Sequence, residues 1–367
     1  MYTIYVDGAL IFSPVRQQQR FALTDVILKE EAGKIATLEL RVPPVNVGYG
    51  SINLMTSRVV LYDDATPIFA GRPISIRKDF LGNRRIVCES ALGYLRDVLI
   101  EELLGPDTGL SNGSPLTSVM LVVLDIFGDQ VDATRDFASF TTPATARNAY
   151  FYDWKPGASV LETLQVLTVR NRGTDPTAVH HHLDLSVRWS GSGGSVSNIL
   201  DVAYDDDIQY GTQTIEFGKN LLDLDDYIDA SNLFTVLDLY DSDNDVFYTY
   251  QESDMVNAYG WIEKYHSVSG ISSWTNPTDG RMYEAEKYYT ANARAVQTIK
   301  LSALDLKLAG LAADRFEVGK YYQVISAPHG LNTYYKCVRA VRRLLDPSKD
   351  VYEFGVTQKP LTRLLTH

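Results

Sequence analysis

The chain has 367 residues, 45% hydrophobic and 22% charged, a composition that builds real cores and excludes disorder and coiled coil. Its mass of 41.0 kDa suits two or three domains. The net charge of −12 is concentrated, since residues 201–254 hold 15 acids against one base, Lys219, and the rest of the chain is close to neutral.

The first ninety residues read as short strands: Tyr2 to Val6, Ala22 to Leu28, Ala36 to Val42, Arg58 to Tyr62, Ile68 to Ile76 and Arg85 to Glu89. Several alternate apolar and polar residues, as in Leu38, Leu40 and Val42. Turn chemistry separates them at Asp7-Gly8, Glu31-Ala32-Gly33, Pro43-Pro44, Asp63-Asp64 and Leu81-Gly82-Asn83, which predicts a small barrel or sandwich. A helix is expected over Ala91 to Leu104, stopped by Gly105-Pro106.

Helical grammar follows. Ser114-Pro115 reads as an N-cap with proline at the first helical position, opening a helix to Phe127 that Gly128 ends. The nearly apolar run Leu116 to Phe127 has only 12 residues and still contains Thr117, Ser118 and Asp125, short of the roughly 20 a membrane span requires. Ser159 and Glu162 have capping-box spacing ahead of Leu164 and Leu167. A strand over His181 to Trp189 leads into a flexible Ser190–Ser195 loop.

Strand grammar returns at Thr212 to Phe217, Leu233 to Tyr240, Val246 to Gln251, Trp261 to Val268, Thr298 to Ala303, Tyr321 to Ile325, Tyr334 to Val341 and Val351 to Val356, interrupted by a helix near Met282 to Ala293. Ile68 to Glu89 and Tyr334 to Gly355 each run as strand, polar turn and strand. Gene duplication and convergence of two hairpins both account for this echo. The expected class is α+β, mainly β: two small β-barrel domains, 1–95 and 208–260 with 296–367, an α/β insert over 96–207, and a small helix-containing insert over 261–295.

Chemistry is sparse. His180, His181 and His182 alternate across a strand, so at most two share a face, with only Asp184 nearby as a further ligand. Asp241, Asp243 and Asp245 with Glu252 mimic a calcium loop, but Val246 stands where the sharp turn needs glycine, leaving an irregular, weak cation site as the candidate. No Gly-x-Ser-x-Gly elbow, phosphate loop or His-Glu-x-x-His occurs, so no catalytic residue and no cofactor is expected. Cys88 and Cys337 lack any C-x-x-C partner and read as core thiols. Arg77, Lys78, Arg84 and Arg85, with Arg339, Arg342, Arg343 and Lys349, form modest basic clusters, too limited for a nucleic-acid affinity site beside so much acid. Met1 to Leu10 resembles no secretory leader, so synthesis in a cytoplasm is expected.

Several stretches taken in order resemble one family. Pro67 to Arg72 and Cys88 to Asp97 resemble the end of the first barrel and linking segment of phage tail-tip hub proteins, and Ile215 to Leu222 with Thr235 to Leu237 resembles the opening of their second barrel. Tyr259 to Glu263, Ala303 to Leu306, Phe316 to Tyr321 and Ala327 to Leu331 complete the order. Together they are similar to the N-terminal hub portion of tail-associated lysins and prophage tail endopeptidase proteins, and to the baseplate hubs of contractile phages. The resemblance implies a virion tail-tip protein. It would be a homotrimer whose two barrels per chain make a pseudo-six-fold ring around a DNA passage, joining six-fold tube to three-fold tip. The implied partners are the distal tail protein and tail tube, the C-terminus of the tape measure protein, and tail fibre or receptor-binding proteins. The chain ends about where the hub portion of relatives ends and is expected to lack their lytic domain. On that reading Asp205, Asp206, Asp207, Asp223, Asp225 and Asp226 are candidates to line the passage. The alternatives are a tail-associated peptidoglycan- or glycan-degrading enzyme and a carbohydrate-binding adhesion module.

Overall fold

The N-terminal strands are β1 (Tyr2–Val6), β2 (Ala9–Phe12), β3 (Asp25–Glu31), β4 (Thr37–Val42), β5 (Val59–Asp63), β6 (Thr66–Lys78) and β7 (Arg84–Ser90). The computed structural model describes the chain apart from residues 16–17, 105–107, 152–153, 172–180, 193–194, 205–206, 272–275, 294–295, 305, 308–313 and 356–367. In β4 the alternation holds: Leu38, Leu40 and Val42 face a core with Ile4, Leu61 and Phe69, and Arg41 is exposed. Asp7 and Gly8 close the β1–β2 hairpin with φ of 48° and 81°, the backbone a two-residue primed turn demands.

The expected helix after β7 does not form. Ala91–Arg96 is a short 3-10 turn leading to β8 (Leu99–Ile100). Five successive residues, Ala91 to Leu95, are buried on all sides, whereas a surface α-helix would bury one stripe. Further on, β9 (Ser114–Pro115) precedes α1 (Leu116–Gly128). Ser114 is therefore no helix cap; it pairs with β11 (Arg147–Tyr150), which β10 (Phe137–Thr141) precedes, and Pro115 itself stands at the cap position. β12 (Ala158–Ser159) opens α2 (Val160–Val166) with both arms of the capping box made. β13 (Thr168–Asn171), β14 (His181–Ser192) and β15 (Ser195–Tyr204) complete a six-stranded sheet ordered β10-β15-β14-β13-β11-β9. Ser190–Ser192 and Ser195, expected in a loop, belong to the long β14–β15 hairpin. α1 and α2 cover this sheet with Val119, Val123, Phe127, Leu161 and Leu164.

The remaining elements are β16 (Tyr210–Glu216), β17 (Leu221–Asp229), β18 (Val236–Asp241), β19 (Val246–Gln251), α3 (Ser253–Tyr259), β20 (Glu263–Val268), α4 (Pro277–Asn292), β21 (Val296–Ala303), β22 (Tyr321–Ser326), β23 (Leu331–Arg343) and β24 (Val351–Gly355). Residues 236–251, grouped by sequence with the second barrel, pair instead with β20 in a small sheet ordered β19-β18-β20. α4 seals that sheet through Ala285 and Tyr289 against Phe234, Leu237 and Leu239.

Strands of both expected barrels join in one 13-stranded sheet. Its two halves repeat each other. The first half runs β3-β4-β7-β6-β5-β1 and the second β17-β21-β24-β23-β22-β16. β6 and β23 are each 13 residues long, and each carries a bulge at the same place against its hairpin partner, between Pro73 and Ser75 and between Cys337 and Arg339. One departure is that β5 and β1 are antiparallel, whereas β22 and β16 are parallel. The halves meet where β23 pairs with β3, Arg343 opposite Ile27 through Arg339 opposite Glu31. Leu344, just past β23, donates its N–H to Val26 O at 3.0 Å and buries its side chain in the first core.

Candidate functional site

The acidic window is spread over several elements. Asp207 accepts from Tyr204 N at 3.1 Å and shapes the exit from β15. Asp223 and Asp225 are exposed on β17, a strand bonded only to β21 among the described residues and so at a sheet edge. They flank Leu224, which packs on the second core, so both carboxylates lie on the opposite face. Asp226 shares that strand; Asp205 and Asp206 lie outside the described residues.

Asp241, Asp243 and Asp245 do not converge. Asp241 is fully buried and accepts from Arg281 Nη1 at 3.1 Å and Asn244 Nδ2 at 2.8 Å. Burial works to raise its pKa, but those donors win and hold it below the ordinary value. Asp243 accepts from Gly270 N at 2.6 Å, and Asp245 from Tyr240 OH at 2.9 Å. Among the described residues no group of three His, Cys, Asp or Glu side chains could hold a metal ion. At the expected weak cation site Asp241 is instead braced by Arg281, 40 residues away in sequence, a partner no local motif reveals.

His181 and His182 sit on β14 opposite Val169 and Thr168 of β13, and His180 lies outside the described residues. A pair that sequence reasoning missed is Ser326 Oγ with His329 Nδ1 at 2.6 Å. Ser326 is fully buried, so its hydroxyl is not presented to a substrate, and the His329 ring packs edge-on against Phe217 at 5.7 Å. The pair has the chemistry of a local turn lock. His266 stacks on Tyr288 at 3.8 Å, and burial lowers its pKa.

A cleft of about 750 Å³ lies between the two halves of the large sheet and the insert. Its charges are spent on one another: Arg315 with Asp63 (2.8 Å), Lys336 with Asp184 (2.9 Å) and Arg188 with Asp201 (2.9 Å). The cleft therefore works as a braced seam. A second brace explains the Pro67–Arg72 and Cys88–Asp97 stretches. Arg72, buried on β6, gives Nε to Glu89 at 2.9 Å and Nη2 to Asp97 at 2.8 Å, and Arg96 also binds Glu89. Gly93 leaves the room this needs, since a Cβ there would sit 2.8 Å from the Glu89 carboxyl carbon. On the small sheet, exposed Phe247 lies 4.9 Å from Tyr240 and 6.4 Å from Tyr265, ring to ring, a patch that sequence reasoning missed.

Residues 208–365 match the family model described as prophage endopeptidase tail. No curated protein matches the sequence. Among solved structures, the chain is similar to a tail protein from Neisseria meningitidis MC58, with TM-score 0.59 and 12% identity over 97% of each chain. It is similar to the prophage MuSo2 43 kDa tail protein from Shewanella oneidensis, with TM-score 0.57 and 8% identity over 97% of this chain and 98% of that one. Prophage tail protein gp18 from Listeria monocytogenes EGD-e gives TM-score 0.52 and 11% identity over 99% and 97%. The chain as a whole thus has the fold of prophage tail proteins, and its residues 208–365 match the prophage endopeptidase tail family.

Proposed function

We propose that this chain is the structural hub of a phage or prophage tail tip, a trimeric ring that joins the six-fold tail tube to the three-fold tip and frames the DNA passage. One observation carries the reading: each chain holds the same sheet unit twice, with the same bulge, so three chains present six equivalent units. The ring would be built from residues 1–95 and the second unit beyond residue 208, with the α/β insert and the small sheet outside it. Its neighbours would be the distal tail protein and tail tube, the tape measure C-terminus, and fibre or receptor-binding proteins, at the virion tail tip. On this reading the chain is structural and not a hydrolase, and the Ser326–His329 pair is a turn lock whose hydroxyl is buried.

A reconstruction of the tail tip tests the hub: three-fold symmetry for this chain is expected, and any other symmetry defeats it. Zymography on host cell walls tests the non-enzymatic role: no clearing is expected, and clearing abolished by one acidic substitution in this chain would reverse it. The patch of exposed Phe247 and Tyr265 around half-buried Tyr240 favours adhesion to carbohydrate as a second reading. Retention on a host-glycan column, lost on Phe247→Ser, would support it.

A further inference from the structure

We infer that neighbouring copies of this chain join by pairing the open edge of β17 in one copy with the open edge of β6 in the next, in a register set by the internal repeat. The inference rests on the ring reading and names the contact that closes it. Three observations meet here.

The first is an asymmetry between equivalent strands. β23 uses both halves of one edge: Leu331–Lys336 pairs with β22 and Arg339–Arg343 with β3. β6 uses only the first half, Thr66–Gly71 with β5, and among the described residues its Ile74–Lys78 stretch pairs on that side with nothing. Conversely β3 is paired on both sides, by β4 and β23, whereas among the described residues the only strand paired with its counterpart β17 is β21. Among the described residues each copy thus leaves one stretch of β6 edge and one β17 edge without a strand partner, and the joint inside the chain shows how such edges fit.

The second is the register. The shared bulge equates Pro73 with Cys337, hence Ser75 to Lys78 with Arg339 to Arg342. The pairings of β4 with β7 and β21 with β24 equate Leu38 with Ile299, which through their outer neighbours equates Lys29 with Tyr227. Transferring the β3–β23 register puts Tyr227 opposite Arg77, Asp226 opposite Lys78 and Asp229 opposite Ser75. The charges have the same sense as at the internal joint. There acidic β3 meets basic β23, with Glu30 paired to Arg342; here acidic β17 meets exposed Arg77 and Lys78.

The third is an apolar side chain without cover. Counting on from the bulge, Phe80 corresponds to Leu344. Leu344 is buried in the core of the other half-sheet, beside Val26. Phe80 stands fully in solvent, 102% exposed, and Leu224, the counterpart of Val26, lies at the rim of the second core. The geometry seats Phe80 of one copy beside Leu224 of the next.

Cysteines at Arg77→Cys and Tyr227→Cys test the register. The Leu344–Val26 hydrogen bond sets the phase of the joint and makes 77–227 a non-hydrogen-bonded pair, with Cα atoms about 4.5 Å apart, within disulfide reach. The native thiols are both buried. Oxidation should give a covalent trimer on a non-reducing gel, whereas Tyr227→Cys with Ser75→Cys, shifted by two residues, should link little. Phe80→Ser, at an exposed position that leaves folding intact, should weaken self-association about tenfold or more. If scattering shows trimers while 77–227 fails to link and Phe80→Ser changes nothing, the strand pairing is wrong and the ring reading stands. An open-ended covalent ladder would uphold the pairing and overturn the three-fold ring. A chain monomeric at every concentration overturns both.

Discussion

Arg72 and Glu89, both almost wholly buried on adjacent strands, share a 2.9 Å hydrogen bond, and through Asp97 and Arg96 the pair ties the first half-sheet to the turn leading into the insert. Removing one partner of such a pair leaves a buried charge uncompensated. Arg72→Met should therefore destabilise the protein by about 3 kcal/mol, the low end of the usual range because Arg96 still reaches Glu89. Denaturant unfolding of the single variant and of Arg72→Met with Glu89→Gln checks this: the double variant should recover part of the loss, and equal loss in both would show that packing alone sets the cost.

The Ser159–Glu162 capping box is the feature read most directly from sequence, because both partners lie within one helical turn. Ser159→Ala should cost about 1 kcal/mol and speed hydrogen exchange of the first α2 amides about fivefold, with Glu162→Gln close to neutral.

What sequence conveyed, and what it did not, follows one physical line. Alternation made β4 legible, β-favouring residues did the same for β19, and the echo of the two hairpins was visible as strand, turn and strand. The shared bulge was not, because register is a property of the pair and not of either strand. Leu221–Asp229 escaped as a strand: its four aspartates oppose β propensity, and only pairing with β21 at a charged edge makes it one. Ala91–Leu104 looked helical because its apolar residues are dense, and that density reflects burial on every side. The carboxylates at Asp241, Asp243 and Asp245 were seen, but the distant Arg281 that holds Asp241 was not.

Asp79, at the tip of the β6–β7 hairpin beside Phe80, is held by hydrogen bonds from Arg41 and Asn83, which keep its carboxyl at about 2. Its folded value lies below the ordinary 3.8, so its contribution is complete above about pH 4 and is lost as pH falls toward 2. NMR titration should find Asp79 among the last carboxylates to protonate, and Arg41→Ala should move it up toward the ordinary value. An unchanged midpoint in that variant would remove Arg41 as the cause.

Cys88 and Cys337 are buried in the two half-sheet cores, and burial pushes both thiols up, Cys337 to about 12. Neither offers a thiolate near neutral pH. Native protein should resist a thiol reagent over hours, and the two labels should enter together on unfolding of the shared sheet. Early labelling of Cys337 alone would mean that the second half opens independently of the first.

The acidic face of β17 makes the last prediction. Asp223 and Asp225 project from the side of the strand opposite Leu224, away from the second core, so they remain available whether or not the β17 edge pairs with another copy. If that face lines the ring, each chain adds carboxylates to a wall past which DNA phosphates must slide. Their repulsion reaches about 8 Å at physiological salt, enough to matter only where the passage is narrow. Asp223→Lys with Asp225→Lys should leave assembly intact and slow DNA release, more strongly at low salt, where screening is weaker. Asp223→Asn with Asp225→Asn should have a smaller effect, because it removes repulsion without adding attraction. A reversed salt dependence would assign the delay to assembly, and a map with these side chains on the outer surface would end the electrostatic account whatever the release rates.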